Sequence, residues 1–414
     1  MGKSNFKKFM LLWTGEIISS VGGGLTSFGL GVYVFNLTGS AGKMAIITLL
    51  GFLPTLLLSV IAGVLADRYD RRVLMMLGDG LSALGIIYIL VCMNMGKGSF
   101  INICIGVFVS SVFSSLLEPA YRATVTDILT EDEYAKASGL VSLAGSVRYL
   151  VSPVLAGLLL AVFDIKVLLI IDISTFVLTV ITTLVVKKGI NAKPVEKEEG
   201  VFKSLKSGFE MLRSQSGVFA LVMVSSVLTL FMGVFQVLAE PIILSFENAK
   251  TLGITESICA CGMLVSSLII GIKGMHKHYV RNLSLALAVA GIFIALFGVW
   301  ENVYLMCIFG FAFFLMMPVA NTCLDYLVRA NIDKEYQGRI WGIIGFLSQI
   351  GYVVAYGASG LLSDTIAKVS NISVGRGAAM VVGVSGIALV VVSVLVMFIK
   401  SIKALEVKGV SVNE

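Results

Sequence analysis

The chain has 414 residues, 57% hydrophobic and only 14% charged, and a mean hydropathy of +0.97. A soluble globular domain carries roughly 25% charged residues, so the composition excludes one. The formal charge of +6 would suit nucleic acid only if the basic residues gathered on one face, and they fall instead in short loops beside apolar runs.

A membrane helix needs about 20 apolar residues. Twelve such runs follow one another, at 9–35, 43–66, 73–95, 100–123, 137–162, 167–186, 217–240, 253–272, 283–299, 304–327, 339–362 and 377–399. The expected fold is therefore an all-α integral membrane protein with 12 transmembrane helices. Lys3, Lys7 and Lys8 ahead of the first run mimic a signal peptide, but the run from Phe9 to Phe35 is too long for one and lacks a small-x-small cleavage site. It is expected to stay as the first span. Placing the N-terminus in the cytoplasm puts 24 Lys and Arg in inner segments and 6 in outer loops, with Arg148 inside a span. That is the positive-inside bias, so both termini are expected to be cytoplasmic.

The stretch 187–216 divides six spans from six. It opens as a polar linker, KKGINAKPVEKEEG, after which Phe202, Leu205, Phe209 and Leu212 recur at helical spacing among Lys203, Lys206 and Arg213. This predicts an amphipathic helix on the inner membrane face. The expected organisation is a six-helix bundle over 1–186, a linker over 187–216 and a second bundle over 217–414. The halves look like repeats: Pro119 matches Pro318, Gly139 matches Gly338, and Gly145, Gly157 and Asp164 match Gly345, Gly357 and Asp364, each pair 199 or 200 residues apart.

Between spans two and three stands GVLADRYDRR, Gly63 to Arg72. The pattern Gly-x-x-x-Asp-Arg-x-x-Arg-Arg resembles the signature that the major facilitator superfamily of transporters carries at this place. The resemblance implies two six-helix bundles in pseudo-two-fold relation, parallel repeats about an axis along the membrane normal. It also implies a role for the motif residues Gly63, Asp67, Arg68, Arg71 and Arg72. Gly63 lets another helix approach its backbone, and Asp67, just past a helix end, can reach the positive N-terminus of a neighbour. In this superfamily an acid at the cytoplasmic end of span four joins the loop's Asp and Arg, and the match puts Asp127 there. The expectation is an inside latch, with Asp67 capping the start of span eleven near Gly338–Gly342 and protonation of Asp67 or Asp127 loosening it.

The resemblance narrows further on. LLWTGEIISSVGGG at the start and PAYRATVTDILTEDEYAKASGLVSLAGSVRYLVSPVLAGLL from Pro119 look like one drug-exporter branch, which includes the macrolide efflux proteins and the enterobactin exporter. That branch more often has Gln where Glu16 stands. The loop GIKGMHKHYVRN lacks an Asp, and Ser152-Pro153 replaces the usual Gly-Pro of exporters.

No enzyme signature is present. Gly2-Lys3-Ser4 has nothing before it to form a phosphate-cradling loop, which favours transport driven by an ion gradient, with no cofactor beyond it. His276 and His278 read as solvated loop residues. The six cysteines lie in apolar runs, and Cys259 and Cys261, two apart on a helix, point to different sides, so packing rather than metal binding is expected.

Ionisable groups within spans cost about 2.5–3.5 kcal/mol each on insertion scales and are functional candidates by default. Glu16, Glu118, Asp172 and Arg148 are the candidates for proton coupling, with one of the acids expected to pair with Arg148 and Glu16 or Glu118 expected to face the cavity. Asp79, Glu240, Glu256 and Asp325 lie nearer span ends, where snorkelling or capping explains them. Phe28, Phe231, Phe235, Gln236, Phe346, Gln349, Tyr352 and Tyr356, on spans one, seven and eleven, are the candidates for an apolar, aromatic substrate cavity. The reading is a monomeric exporter in the cell membrane that exchanges protons for a lipophilic small molecule, macrolide-like in chemistry, by alternating access. Its alternatives are an exporter of an endogenous siderophore, haem or lipid, and a receptor or scaffold on the same fold.

Overall fold

Lipid offers the backbone no hydrogen-bond partner, so each crossing segment must satisfy its N–H and C=O groups within itself. The structure, a computed structural model, describes residues 5–187, 209–210, 212–213, 215–275, 278–332 and 337–411, with the backbone only at 60, 67, 131, 135, 337–342 and 407–411. Among these residues twelve helices are long and apolar enough to cross a membrane: Phe6–Thr38, Ala41–Ser59, Arg71–Asn94, Phe100–Ile128, Lys136–Leu160, Ile165–Lys187, Ser216–Leu244, Ala249–Lys273, Tyr279–Phe297, Val303–Arg329, Ile343–Ser370 and Val374–Phe398. We number them spans one to twelve. Tight turns keep the connections short. Gly39, at φ +60°, closes span one by donating its N–H to the Phe35 carbonyl at 2.7 Å, and the Ser40 hydroxyl then caps span two by accepting from the Lys43 N–H at 3.0 Å.

Two spans depart from the sequence reading. Span four is broken into Phe100–Ser114 and Leu117–Ile128. Pro119 explains the break, because it has no N–H to give the carbonyl four residues back and its ring crowds that carbonyl, at Ser115. Span eleven continues to Ser370 rather than stopping near 362, since the amphipathic tail LLSDTIAKVS contains no glycine or proline to end a helix. Of the amphipathic segment expected after 201, Phe202 and Leu205 lie outside the described residues; Phe209 is exposed and Leu212 is buried.

The chain forms two compact units, Met1–Glu196 with Asn248–Ser257, and Lys197–Glu247 with Ile258–Glu414. The first turns of span eight thus group with the first unit, where the Ser257 hydroxyl donates to the Leu150 carbonyl at 2.6 Å and Gly253 lies against the Pro153 carbonyl. Within each unit the neighbours repeat. Span one packs on five and six as span seven packs on eleven and twelve, and span three packs on four and six as span nine packs on ten and twelve.

Among the described residues of the first unit, two apolar cores stand out. One gathers Phe9, Leu12, Leu74, Met75, Tyr121, Ile128 and Val186, and the other Leu30, Val34, Ala83, Ile86, Ile89, Ile103 and Leu169. Along spans one and three the stretch between them holds Glu16, Asp79 and Ser82. A polar layer therefore separates two apolar ones.

Candidate functional site: a charged tie and a polar seam

Span three begins where its sequence says a helix should, with Asp70 followed by an apolar run. The Asp70 carboxylate accepts from the Arg72 N–H at 3.0 Å, capping the helix. The two arginines that follow turn back into the bundle. Arg71 Nη1 reaches Asp127 Oδ1 at 2.7 Å and the Ala123 carbonyl at 3.0 Å, while its Nε donates to the Ala66 carbonyl at 3.2 Å. One planar guanidinium thereby joins the ends of spans two, three and four, a task suited to its rigid fork of donors. Arg72 is 1% exposed and lies between two acids, Asp70 at 3.7 Å and Asp127 at 3.9 Å. Lys187, the last residue of span six, comes within 3.9 Å of Asp70. Asp70 and Lys187 were missed in the sequence, although the Asp ahead of an apolar run was a readable capping signal.

The structure thus brings Arg71, Arg72 and Asp127 together. Asp67 lies in the last turn of the helix Ala41–Arg68 instead of past its end. Its side chain, and those of Gln337–Gly342 with which the latch was expected to form, fall outside the described residues. Among the described residues nothing lies within 4 Å of a methyl group placed on Gly63. Close approaches occur instead at Gly85 against Gly106, between spans three and four, and at Gly291 against Gly386, between spans nine and twelve. Arg68 is exposed.

A seam of polar side chains lies deeper. On span one, Gly15, Gly22 and Gly29 recur every seven residues and face span six: Gly15 meets Thr179 and Thr182, Gly22 meets Asp172 and Thr175, and Gly29 meets Ile165 and Leu168. Without side chains at these points the two helices close on a column of hydroxyls. The Thr175 hydroxyl donates to the Asp172 carbonyl at 2.7 Å, Thr179 to the Phe176 carbonyl at 2.9 Å and Thr182 to the Thr179 carbonyl at 2.9 Å. Asp172 is 1% exposed and its Oδ1 has no hydrogen-bond partner. From span three, Asp79, 4% exposed, sits beside Thr179 and within electrostatic reach of Glu16 and Asp172. Asp79, expected near a span end, is the ninth residue of a helix that starts at Arg71, about 12 Å along it at 1.5 Å per residue.

Arg148 does not form the ion pair expected of it. Its stem lies against Gly24, the residue is exposed, and no carboxylate comes within 4.0 Å of it among the described residues, although Glu16 and Asp172 feel its charge. Two local causes are visible. Asp172 is turned under Gly22, and Glu118 is held by Arg122 one turn away, at 2.7 Å. Glu16 is half-buried on span one, within reach of Glu118 and Arg148.

The aromatic candidates separate into two groups. Phe235 is a core residue, packed on Phe297 at 4.7 Å, Phe313 at 4.8 Å and Phe314 at 5.8 Å between ring centroids. Phe28 and Phe231 are buried as well. Spans seven and eleven instead present a polar-aromatic set. The Tyr356 hydroxyl donates to Gln236 Oε1 at 2.8 Å, Tyr352 lies 5.6 Å from the Tyr356 ring, and Gly233 makes room for both rings. Gln349 is half-buried and Phe346 exposed on the same span. Ser226 donates to the Leu347 carbonyl at 2.7 Å, and Ser225 to Ser348 at 3.1 Å. Cys259, one of the Cys-x-Cys pair, packs against Gly310 with its thiol toward the Met306 carbonyl at 3.9 Å.

Twelve apolar helices in two units of matching helix order, with a charged tie after span two, define a multi-pass membrane transporter. Residues 12–356 match the model of the Major Facilitator Superfamily, and the chain belongs to that superfamily of transporters, which are not enzymes. Among curated proteins it is similar to macrolide efflux protein A of Streptococcus pyogenes, 26% identical over 377 residues covering 88% of this chain and 91% of that protein. It is also similar to the enterobactin exporter EntS of Citrobacter koseri, 25% identical with 94% and 91% covered, and to the multidrug efflux pump Tap of Mycobacterium tuberculosis, 22% identical with 87% of each covered. Among solved structures, the nucleoside transporter NupG matches with a TM-score of 0.75 at 11% identity, covering 94% of this chain and 99% of that one. A bacterial homologue of the iron transporter ferroportin in an inward-facing state matches at 0.72 and 14%, covering 94% and 100%. These two likenesses speak for the fold alone.

Proposed function

We propose that this chain is a secondary active exporter that moves a hydrophobic or amphipathic compound of macrolide-like chemistry out of the cell in exchange for protons. It sits in the cell membrane as a monomer with both termini in the cytoplasm, and the proton gradient is its only energy source. The observation that carries this reading is the reach of the similarity: relatives named as efflux proteins align over 87% or more of this chain and of themselves. The geometry supports it. Glu16, Asp79, Glu118, Asp172 and Arg148 place titratable charge inside the spans of the first unit, as proton exchange requires. Gln236, Tyr352 and Tyr356 offer a few directed polar groups among rings, as a large amphipathic ligand requires. The tie of Arg71 and Arg72 to Asp127 fixes the ends of spans two to four, so that they turn as one body in a hinge or rocking transition.

The test is uptake of labelled erythromycin into everted membrane vesicles from cells with and without the protein. Accumulation that collapses when the pH gradient is dissipated is expected, and accumulation indifferent to the gradient sinks antiport. The alignment with the enterobactin exporter favours a second reading, export of an endogenous siderophore-like compound. Under that reading a deletion strain retains the metabolite under iron limitation while its erythromycin tolerance stays unchanged.

A further inference from the structure

The interior of the first unit has more acid than base. Glu16, Asp79 and Asp172 lie within electrostatic reach of one another's neighbourhood, and Arg148 is the one guanidinium among them. The spans of this unit contribute unequally to this balance. Span one brings Glu16, span four Glu118 and Tyr121, span five Arg148 and span six Asp172. Span two carries Lys43, Asp67 and Arg68 only near its ends. Glu118 is already engaged by Arg122. A single guanidinium, with no acid within 4.0 Å among the described residues, cannot compensate two fully buried carboxylates, and a buried charge without compensation is expelled or neutralised by a proton.

The hydroxyls supply the other half of the argument. Thr179 stands beside Asp79, and Thr175, one turn away on the same helix, stands with Asp172 against Gly22. Thr26, 5% exposed, faces Asp172 from span one, and its oxygen has no hydrogen-bond partner. A carboxylate oxygen buried at Asp172 with no donor in bonding distance lacks what would hold its charge, which favours the protonated, neutral form.

We propose that Asp79 and Asp172 together hold the proton that is exchanged, and that the threonine column between them passes it from one carboxyl group to the other. In each passage the carboxylic acid donates its proton to a threonine hydroxyl, which gives up its own toward the second carboxylate. One acid becomes a carboxylate, the other becomes an acid, and the net charge of the seam is unchanged. The proposal rests on the proton-exchange reading above and moves its centre from Glu16 and Glu118 to a pair that includes Asp79.

The experiment is infrared spectroscopy of the full-length protein in lipid at neutral pH, read at the C=O stretch of protonated carboxyl groups. The wild type is expected to show this band. Asp79→Asn and Asp172→Asn are each expected to lose part of it, and Asp164→Asn, in an outer loop, to keep all of it. A wild type without the band, or a band undiminished in both seam variants, overturns the proposal. Should Asp79→Asn not accumulate, Thr179→Val leaves both acids in place. It keeps the band but slows its shift on transfer to deuterated buffer, and an unaltered exchange rate overturns the relay. No erythromycin accumulation at all, with the band present and sensitive to these substitutions, would sink the macrolide-like substrate and leave this proposal standing, whereas accumulation indifferent to the pH gradient sinks both.

Discussion

The two units use the same helix neighbours and fill them with different chemistry. In the first, spans three and six enclose Asp79 and Asp172 with a column of threonines. In the second, the corresponding spans nine and twelve contain no acid at all; they meet through Gly291 against Gly386 and through the Ser284 hydroxyl, which donates to the Ser393 carbonyl at 2.7 Å. Spans seven and eleven of the second unit likewise join through neutral groups, Gln236 with Tyr356 and Ser226 with the Leu347 carbonyl. A duplicated framework thus does not require duplicated function. The buried acids of spans three and six have no counterpart in spans nine and twelve.

The sharpest way to break this contrast is to put an acid into the helix pair that has none. Ser393→Asp places a carboxylate at a fully buried point of span twelve with no cation beside it, at a cost of about 2.5–3.5 kcal/mol. A thermal unfolding midpoint in detergent well below that of the wild type is expected, and an unshifted midpoint would mean that the second unit tolerates buried charge as the first does. A smaller effect should be shared by both units. Gly85→Leu and Gly291→Leu each drive a side chain into a facing backbone, costing about 1–3 kcal/mol, whereas Gly63→Ala, with nothing within 4 Å among the described residues, should leave the midpoint in place. If Gly63→Ala proved the most damaging of the three, the crossing would have been assigned to the wrong glycine. The smallest effect belongs to Tyr356→Phe, which removes one hydrogen bond worth about 0.5–1.5 kcal/mol. It should alter erythromycin affinity in vesicles without touching the pH dependence of uptake, and a changed pH dependence would erase the division of labour between the units.

Much of this was legible in the sequence, and the limits have physical causes. Hydropathy gives spans because lipid imposes one requirement on every crossing helix, so all twelve were readable, as was the charged motif of Gly63–Arg72. Depth was harder. Asp79 lies only seven residues into the run 73–95, and hydropathy does not show that the helix starts two residues earlier, at Arg71, or that this turn packs inside the bundle. Direction was harder still. Phe235 and Gln236 are adjacent, yet Phe235 packs among Phe297, Phe313 and Phe314 while Gln236 meets Tyr356. In a helix apolar on all sides no stripe marks the face that turns inward. The threonine column did leave a trace, since Asp172, Thr175, Thr179 and Thr182 fall at intervals of three and four on one face, a pattern that carries meaning only once a glycine-faced neighbour is known.

The glycines of span one have a consequence for its shape. A feature repeated every seven residues drifts by about 20° per repeat around a straight helix, so for Gly15, Gly22 and Gly29 to stay against span six the two must coil gently around each other in the left-handed sense. Register along such a coil is strict. One residue inserted between Gly22 and Gly29 would rotate everything beyond it by about 100°, swinging the third glycine off the contact and forcing a bulky neighbour into its place.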